Sequence, residues 1–391
     1  MLQKIINWVI YIIVFSLPLY LINFKIGWVL TNLLELLICG LFVFWLFSIS
    51  KPIIQGQSLF EDFKGTVPVL AIFLIFFGVT VSTWFSNNIE ISAGIWKGWF
   101  IIPLLFFIIL INSIKTREQI RNIVISLTLS GVFVSLIALY YWLSNNLTYD
   151  GRLQAFYLSP NYLAMYLSPI LILSLCLYSF VKNKILKILL IASSLLLLLV
   201  LYLTYSYGAW LGLLFALIFI LIQKKDKKIA LVFLFLFILI FVLQIPSQKF
   251  QGFMDFSYPS LESRLVIWQS SWEIIKDNSL IGIGPGMFQE YYLTYQDKFA
   301  FYPEWAVPQP HNLFFAFWLQ AGLLGLIGFV WLLISFFKKI EPKQILSSIL
   351  MGTMIYILIH GLVDTTYWKN DLSIIFWLIT ALNYKAGYLF D

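Results

Sequence analysis

The chain has 391 residues, of which 61% are hydrophobic, 19% aromatic and only 11% charged, with a formal net charge of +7 and a mean hydropathy of +0.92. No water-soluble domain of this length needs so large an apolar fraction for its core, so the composition indicates a polytopic membrane protein. The two cysteines, Cys39 and Cys176, lie within long apolar runs, which argues against a disulfide framework and against a thiolate metal site.

A membrane span needs about 20 mostly apolar residues to cross a hydrocarbon core of roughly 30 Å. The first apolar run is longer than the core of a signal peptide, and no small-residue cleavage site follows it, so we interpret it as a span. We predict an all-α fold, a polytopic helical bundle of about 12 transmembrane helices. The predicted spans are residues 5–23, 28–48, 67–85, 96–114, 122–144, 161–181, 185–204, 207–223, 229–245, 311–337, 344–363 and 372–388.

The distribution of positive charge predicts the orientation of these spans. If the N-terminus is cytoplasmic, most of the 25 lysines and arginines fall on the inner side, including the basic turns KTREQIR, KNKILK, QKKDKK and FFKKIEPK. Cytoplasmic loops carry such an excess of Lys and Arg. We therefore predict that both termini are cytoplasmic.

The outer side then collects the long connections. Residues 246–310 form one large loop between the ninth and tenth spans, and residues 86–95, 145–160 and 364–371 form three shorter ones. Long loops in otherwise compact bundles are usually functional. We find no internal repeat and no soluble domain, so residues 1–391 are interpreted as one integral domain that contains this loop.

The first part of the large loop predicts an amphipathic helix at the membrane surface. Leu265, Trp268, Trp272 and Ile275 share one helical face, and Ser263 is a plausible N-cap. Arg264 would lie in the first turn of this helix. Its planar guanidinium matches the geometry of phosphate oxygens, so it is a candidate for phosphate binding. The alternative for Arg264 is an interfacial anchor, because positive side chains readily extend to the membrane surface.

The sequence GIGPG follows at residues 282–286. It is not a dinucleotide-binding fingerprint, since no strand precedes it. A tight reversal between two surface helices is the favoured interpretation, and a backbone cradle for phosphate, formed around Gly284 and Gly286, is the alternative. An aromatic stripe at helical spacing comes next, formed by Phe288, Tyr291, Tyr292 and Tyr295. Packing against the bundle is the commoner explanation for such a stripe, and stacking on sugar rings is the rarer one.

His311 follows Pro310 at the start of the tenth span. A ring near the positive end of a helix dipole is favoured in its neutral form, and a neutral imidazole can act as a general base. An interfacial anchor is the alternative. His360 and Asp364 lie one helical turn apart, which predicts a structural His–Asp pair. Glu35, inside the second span, is predicted to make a structural hydrogen bond.

Several of these segments resemble the O-antigen ligase and O-antigen polymerase superfamily of bacterial membrane glycosyltransferases. The resemblance covers about residues 145–390. It is carried by SRLVIWQSSWEIIKDNSLIGIGPGMFQEYY, PHNLFFAFWLQAGLLGLIGFV, GRLQAFYLSPNYLAMYL and LTYSYGAWLGLL. It implies transfer of a glycan from undecaprenyl pyrophosphate to an acceptor hydroxyl at the outer face of the inner membrane. The implied acceptor is the lipid A core in ligases and a second lipid-linked repeat unit in polymerases.

The resemblance also implies roles for individual residues. The family's essential loop arginine and histidine fall on Arg264 and His311. A further arginine, expected in the Thr-x-Ser-Arg-Gly element, is replaced here by Tyr207, which removes one expected phosphate contact. Arg152 and Lys97 are the cations predicted to compensate, and Asn312, next to His311, is a further candidate for substrate binding.

The remaining expectations concern partners and competing functions. The bilayer, the lipid-linked donor and a glycan or glycolipid acceptor are the expected partners; no nucleic acid and no cofactor are expected. A metal site is disfavoured because the outer carboxylates form no Asp-x-Asp, His-x-x-x-His or Glu-x-x-His spacing. A transporter of lipid-linked oligosaccharides is the alternative class, although the chain shows no matched halves, and a membrane scaffold without chemistry is a third.

Overall fold

In the computed structural model, the described residues are 2–27, 29–54, 67–223, part of 231–245, 259–299, 306–338 and 344–390. They are mostly helical, with 79% of residues in helices, which confirms the all-α prediction in its main feature. The predicted ninth span, residues 229–245, falls partly outside the described residues, and residues 246–258 and 300–305 of the large loop fall entirely outside them. The helices are α1 (Leu2–Phe15), α2 (Leu33–Ile54), α3 (Val69–Trp84), α4 (Ile89–Trp96), α5 (Ile102–Ser113), α6 (Arg117–Leu143), α7 (Pro160–Phe180), α8 (Lys184–Thr204), α9 (Tyr207–Gln223), α10 (Pro259–Asp277), α11 (Phe288–Tyr295), α12 (Leu313–Lys338), α13 (Ile345–Gly361) and α14 (Asn370–Phe390).

Five helical stretches among the described residues are long and apolar enough to cross a membrane: Ile89–Ser113, Arg117–Leu143, Pro160–Phe180, Lys184–Thr204 and Leu313–Lys338. Shorter apolar helices accompany them at Leu2–Phe15, Leu33–Ile49, Val69–Trp84, Tyr207–Gln223 and Ile345–Gly361. The helix Ile89–Ser113 joins α4 to α5 through a π-helical turn at Lys97–Ile101. It begins inside the predicted outer loop 86–95, because the Asn88 side chain accepts from the Ile91 amide and caps the helix there.

The first predicted loop is also different from expectation. A 3₁₀ helix (Leu17–Leu21) follows α1, and two short antiparallel strands, β1 (Asn23–Ile26) and β2 (Val29–Asn32), pair before α2 begins. Pro18 near the start of the 3₁₀ helix lacks an amide hydrogen, so α1 does not continue through it. The second span was predicted from residue 28, but α2 begins at Leu33, where Asn32 accepts the Glu35 amide.

Helix α12 is broken at Gly322, although residues 311–337 were predicted as one continuous span. Gly322 has φ +67° and ψ −177°. The segment Leu280–Ile283 fills the break: Leu319 accepts from the Ile283 amide at 2.6 Å, and Leu280 accepts from the Leu323 amide at 3.0 Å. The backbone groups freed by the break are thus bonded within the protein, as a membrane requires.

Glycines let α3 and α12 approach closely. A Cβ at Gly78 would lie 2.5 Å from the Ala321 carbonyl oxygen, and one at Gly328 would lie 2.6 Å from that of Ala71. Small residues at such crossings allow van der Waals packing of helix backbones in lipid. This packing fixes α12, and therefore the residues that precede it, against the rest of the bundle.

Several helix ends meet at one end of the bundle. The Leu153 amide, between α6 and α7, donates to Leu203 near the end of α8. The Asn312 side chain, before α12, donates to the Leu362 carbonyl after α13. The basic residues that begin α6 and α8 and end α12, Arg117, Lys184 and Lys338, belong to the opposite ends of these helices. The polar loops predicted to face outward therefore converge away from the basic turns.

Candidate active site

His311 lies in the turn immediately before α12. Its backbone is in the left-handed region, with φ +46°, and its side chain is 25% exposed. The next residue, Asn312, accepts from the amides of Phe314 at 2.9 Å and Phe315 at 3.0 Å. Asn312 therefore caps α12, and its NH₂ group donates to Leu362. Both ends of the Asn312 amide thus hold the histidine turn in place, and its role in substrate binding stays a prediction.

Asp364 is the partner of His311. Its Oδ1 lies 3.1 Å from His311 Nδ1 and also accepts the Thr365 amide at 2.9 Å, and the residue is only 2% exposed. Burial raises the pKa of Asp364, but the nearby His311 ring and Arg264 guanidinium outweigh burial and hold that pKa well below its usual range. An ionised carboxylate only accepts hydrogen bonds, so Nδ1 of His311 carries the hydrogen, and in the neutral form of the ring the lone pair lies on Nε2.

The predicted pair of His360 with Asp364 is wrong as a hydrogen-bonded pair. His360 Nδ1 instead lies 2.8 Å from the Tyr356 hydroxyl. The spacing of four residues suggested a pair on one helical face, but α13 ends at Gly361. Asp364 therefore lies in the turn beyond the helix, where it can reach the turn that precedes α12.

Arg264 lies in α10, but in the second turn rather than in the predicted first, because the helix begins at Pro259 and Ser263 is inside it. Its charge is one of the causes that lower the Asp364 pKa. Trp268, one helical turn further along α10, donates its indole N–H to the His311 carbonyl at 3.2 Å. Residues four apart share one face of a helix. The structure thus brings Arg264 and His311, which are 47 positions apart in the sequence, to the same end of the bundle.

The buried face of α10 differs from the predicted apolar face. Leu265 is 57% exposed and Trp272 is 44% exposed, whereas Ile267 and Ile274 are fully buried. The helix packs through these isoleucines onto α11 and α12. In the aromatic stripe, Phe288 and Tyr292 are buried and stack on each other at 5.8 Å, which confirms packing for these two rings.

Arg152 is joined to Asp364 through Asn161. The guanidinium of Arg152 donates from Nη2 to Asn161 Oδ1 at 2.8 Å, and Asn161 Nδ2 donates to Asp364 Oδ2 at 3.0 Å. Arg152 Nε also donates to the Thr204 carbonyl at 2.8 Å. The sequence did not indicate Asn161 or Asp364 as site residues, although Asn161 belongs to the segment GRLQAFYLSPNYLAMYL, which carries part of the resemblance.

Lys97 forms an ion pair with Glu35. Its ammonium lies 2.8 Å from Glu35 Oε2 and donates to the Leu30 carbonyl at 2.6 Å. Glu35 also accepts from Thr31 at 2.9 Å and from Asn370 at 3.0 Å. The structural hydrogen bond predicted for Glu35 is confirmed. Lys97 neutralises this buried carboxylate, and its contact with phosphate stays a prediction.

The GIGPG segment is a packing turn. The Gly286 amide donates to Gln320 Oε1 at 3.0 Å, and the Pro285 carbonyl accepts from Ser92 at 2.8 Å. Gly284 has φ +92°, and a Cβ there would lie 2.4 Å from Ser86 Cβ. Close packing therefore accounts for Gly284 and Gly286, in line with the favoured interpretation of a tight turn, and the phosphate cradle stays a prediction.

Tyr207 is the first residue of α9 and is half-buried against the core. Its neighbour Gly208 touches the His360 ring so closely that a Cβ would lie 2.7 Å from Cδ2. The first turn of α9 therefore packs against His360 of α13. Within the part of the chain that the structure describes, no group of three His, Cys, Asp or Glu side chains is arranged to hold a metal ion.

An apolar helical bundle with polar loops gathered at one end is typical of an integral membrane protein. The His311–Asp364 pair is a candidate site for proton transfer, and the nearby Arg264 could bind an anionic group of a substrate there. Residues 192–330 match the model of a family described as O-antigen ligase. This match confirms the resemblance to the O-antigen ligase and polymerase superfamily over a little more than a third of the chain, including Tyr207, Arg264 and His311. None of the curated proteins matches the chain.

Proposed function

We propose that the protein is an O-antigen ligase-like glycosyltransferase. It moves a glycan from undecaprenyl pyrophosphate to an acceptor hydroxyl, such as one on the lipid A core, without a metal. The observation that carries this proposal is the His311–Asp364 pair with the Arg264 charge beside it. The family match supports the ligase or polymerase class, while the donor, the acceptor and the residue roles are our inference.

His311 is the general base in this proposal. Its Nε2 takes the proton of the acceptor hydroxyl as the acceptor oxygen bonds to the anomeric carbon of the donor sugar. The bond between that carbon and the pyrophosphate oxygen breaks, and undecaprenyl pyrophosphate leaves with the bonding electrons. Asp364, hydrogen-bonded to Nδ1, stabilises the imidazolium that forms. A positioned base contributes about 10²- to 10⁴-fold to such a reaction.

Arg264 supplies the complementary charge. The leaving pyrophosphate gains negative charge as the bond breaks, and a guanidinium fork binds phosphate oxygens through two parallel N–H donors. Arg264 lies in the large loop next to the membrane-spanning helices, so it is suited to a headgroup whose polyprenyl tail remains in the bilayer. This geometry supports a site on the periplasmic or exterior face of the bacterial inner membrane, with both termini cytoplasmic.

A polymerase is the alternative within the same class. It would use the same donor and the same proton transfer, with the sugar of a second lipid-linked repeat unit as acceptor. The substitution of Tyr207 for the arginine expected in ligases is the observation that favours it. A transporter of lipid-linked oligosaccharide remains the alternative outside this class.

A reconstituted transfer assay tests these proposals. Protein in liposomes receives undecaprenyl-pyrophosphate-linked glycan together with either lipid A core or a second lipid-linked unit. We expect His311→Ala and Arg264→Ala each to lower turnover by at least about 100-fold. Arg121→Ala is the matched control, since Arg121 pairs with Glu118 near the start of α6, which belongs to the opposite end of the bundle.

The acceptor arms separate ligase from polymerase, because only the productive acceptor yields a new glycosidic bond. Undiminished turnover in either site variant removes that residue from the mechanism. Movement of labelled lipid across the liposome bilayer, without a new glycosidic bond in either arm, overturns the enzyme proposal in favour of a transporter.

A further inference from the structure

Four side chains from four separate segments form one continuous series of hydrogen bonds. Arg152 donates to Asn161 at 2.8 Å, Asn161 donates to Asp364 at 3.0 Å, and Asp364 lies 3.1 Å from His311. The segments are the loop after α6, the first turn of α7, the turn after α13 and the turn before α12. The series therefore ties the candidate base to a cation that belongs to another loop.

Asn161 is chemically suited to join a cation to an anion. Its carboxamide has an acceptor oxygen at one end, which meets Arg152, and a donor NH₂ group at the other, which meets Asp364. The reversed orientation would place the amide oxygen against a carboxylate and the NH₂ group against a guanidinium. Both neighbours thus select the same orientation of this amide.

Local structure holds the first two members of the series in place. The backbone N–H of Asn161 donates to Ser159 Oγ at 3.2 Å, which fixes the first turn of α7. Arg152 donates from Nε to the Thr204 carbonyl, and its own amide donates to Thr148 Oγ1 at 2.9 Å. The guanidinium is therefore directed at Asn161 by contacts that do not involve the candidate base.

The Asp364 carboxylate is fixed through both of its oxygens. Oδ1 serves His311 and the Thr365 amide, and Oδ2 accepts from Asn161. A carboxylate bonded at one oxygen only can rotate, whereas one bonded at both holds its partner's ring in a single orientation. The Arg152 charge also polarises the Asn161 amide, which strengthens its donation to Asp364.

We infer that Asn161 is a positioning residue for the His311–Asp364 pair, and that Arg152 acts on this pair through Asn161 rather than by binding the donor. This inference rests on the proposed function, because the orientation of His311 matters to turnover only if the ring moves a proton. A residue that orients the base changes kcat, whereas a residue that binds the donor equally in ground and transition states changes KM.

The first test is a comparison of steady-state constants. We expect Asn161→Leu to lower kcat roughly 10- to 100-fold with KM within about twofold, since one hydrogen bond to a charged group is lost. Asn183→Leu is the matched control: Asn183 caps α8 at the opposite end of the bundle by accepting from Ile185 and Leu186. A rise in KM with unchanged kcat in Asn161→Leu would show a binding role and overturn the inference.

The second test does not depend on transfer activity. The chain holds only two histidines, so a sample labelled at histidine gives two ring signals, and His311→Ala assigns them. In Asn161→Asp a second carboxylate faces Asp364, and we expect the His311 signal to titrate at a higher pH than in the unaltered protein, because added negative charge favours the imidazolium. The other titratable groups around Asp364 are Arg264, His360, Tyr162 and Tyr356, and the variant leaves them unchanged.

The two tests distinguish failure of the inference from failure of the proposed function. Coincident His311 titrations in Asn161→Asp and the unaltered protein would show that Asn161 does not act on the pair. If the titration shifts but the protein forms no glycosidic bond, Asn161 acts on the His311–Asp364 pair and the glycosyltransferase proposal is wrong.

Discussion

The indole N–H of Trp268 donates to the backbone carbonyl of His311 across 3.2 Å, so α10 directly supports the turn that carries the candidate base. That turn is strained: His311 has φ +46°, and a non-glycine residue in the left-handed region costs about 1–3 kcal/mol unless its surroundings hold it. Trp268, the Asn312 cap and Asp364 together provide those surroundings.

Trp268→Phe tests this support. The variant keeps the aromatic volume and loses one neutral hydrogen bond, so we expect the free energy of unfolding to fall by only about 0.5–1.5 kcal/mol. We expect kcat of the transfer reaction to fall about tenfold, because the base is less well oriented. Trp272→Phe, on the exposed side of the same helix, is the control. Equal kcat values in the two variants would contradict the role of the bond.

Asp364→Asn is expected to remove nearly all turnover. An asparagine amide can donate to Nδ1 of His311, which forces the ring hydrogen onto Nε2 and removes the lone pair that accepts the acceptor proton. The comparable change in serine protease triads lowers kcat about 10⁴-fold, and we expect a loss of about 10³- to 10⁴-fold here. Asp277→Asn is the control, since Asp277 accepts from Tyr295 in the outer loop. Retained turnover in Asp364→Asn would show that another group acts as the base.

The pairing of Asp364 also predicts how stability depends on pH. The pKa of Asp364 is lowered in the folded protein, so its ionised form adds stability that is complete above the ordinary aspartate pKa of about 4 and is lost as the pH falls below it. Thermal unfolding in detergent should show the largest difference between the native protein and Asp364→Asn near neutral pH. That difference should shrink as the medium is acidified below about pH 4. A difference that grows on acidification would mean that Asp364 is protonated in the folded state.

Local signals in the sequence were sufficient where a helix end depends on its own residues. Pro310 and His311 predicted that a helix begins just after them, and α12 begins at Leu313. Two other boundaries also have local signals in the sequence. Asn88 caps the helix that begins at Ile89, and Pro18, which lacks an amide hydrogen, marks the point beyond which α1 cannot continue. In these cases the determining contacts span only a few residues.

The departures arise where distant segments supply the partner. The break at Gly322 is stable because Leu280 and Ile283 bond its freed backbone groups, and nothing in the apolar run itself reveals them. Asp364 could be paired with His311 only once the end of α13 and the start of α12 were known. Likewise, only the family resemblance implied that Arg264 and His311 belong to one site. Helical spacing shows which residues share a face of one helix, and it cannot show that residues of two separate segments lie close together.

The ion pair of Lys97 with Glu35 makes a prediction about stability. Glu35 is buried and its partner Lys97 is about a quarter exposed. Lys97→Met leaves the carboxylate uncompensated, so we expect a loss of about 2–4 kcal/mol, somewhat below the full cost for a completely buried pair. Adding Glu35→Gln should recover most of that loss, because the remaining groups are neutral. Thermal unfolding in detergent measures both effects. If Lys97→Met raised KM for the donor without lowering stability, Lys97 would be a phosphate contact after all.

The break in α12 makes the last prediction. Gly322 has φ +67°, and a Cβ there would lie 2.5 Å from the Leu280 carbonyl oxygen and 2.7 Å from that of Ile281. Gly322→Ala must therefore displace the segment that fills the break, and we expect a loss of at least about 2–3 kcal/mol from combined strain and overpacking. Gly40→Ala is the matched control, because Gly40 lies inside α2 and a Cβ there meets nothing within 4 Å. The control should be neutral or stabilising by up to about 1 kcal/mol, since alanine favours helix over glycine. Equal unfolding temperatures for the two variants would show that Leu280 and Ile281 do not constrain the break.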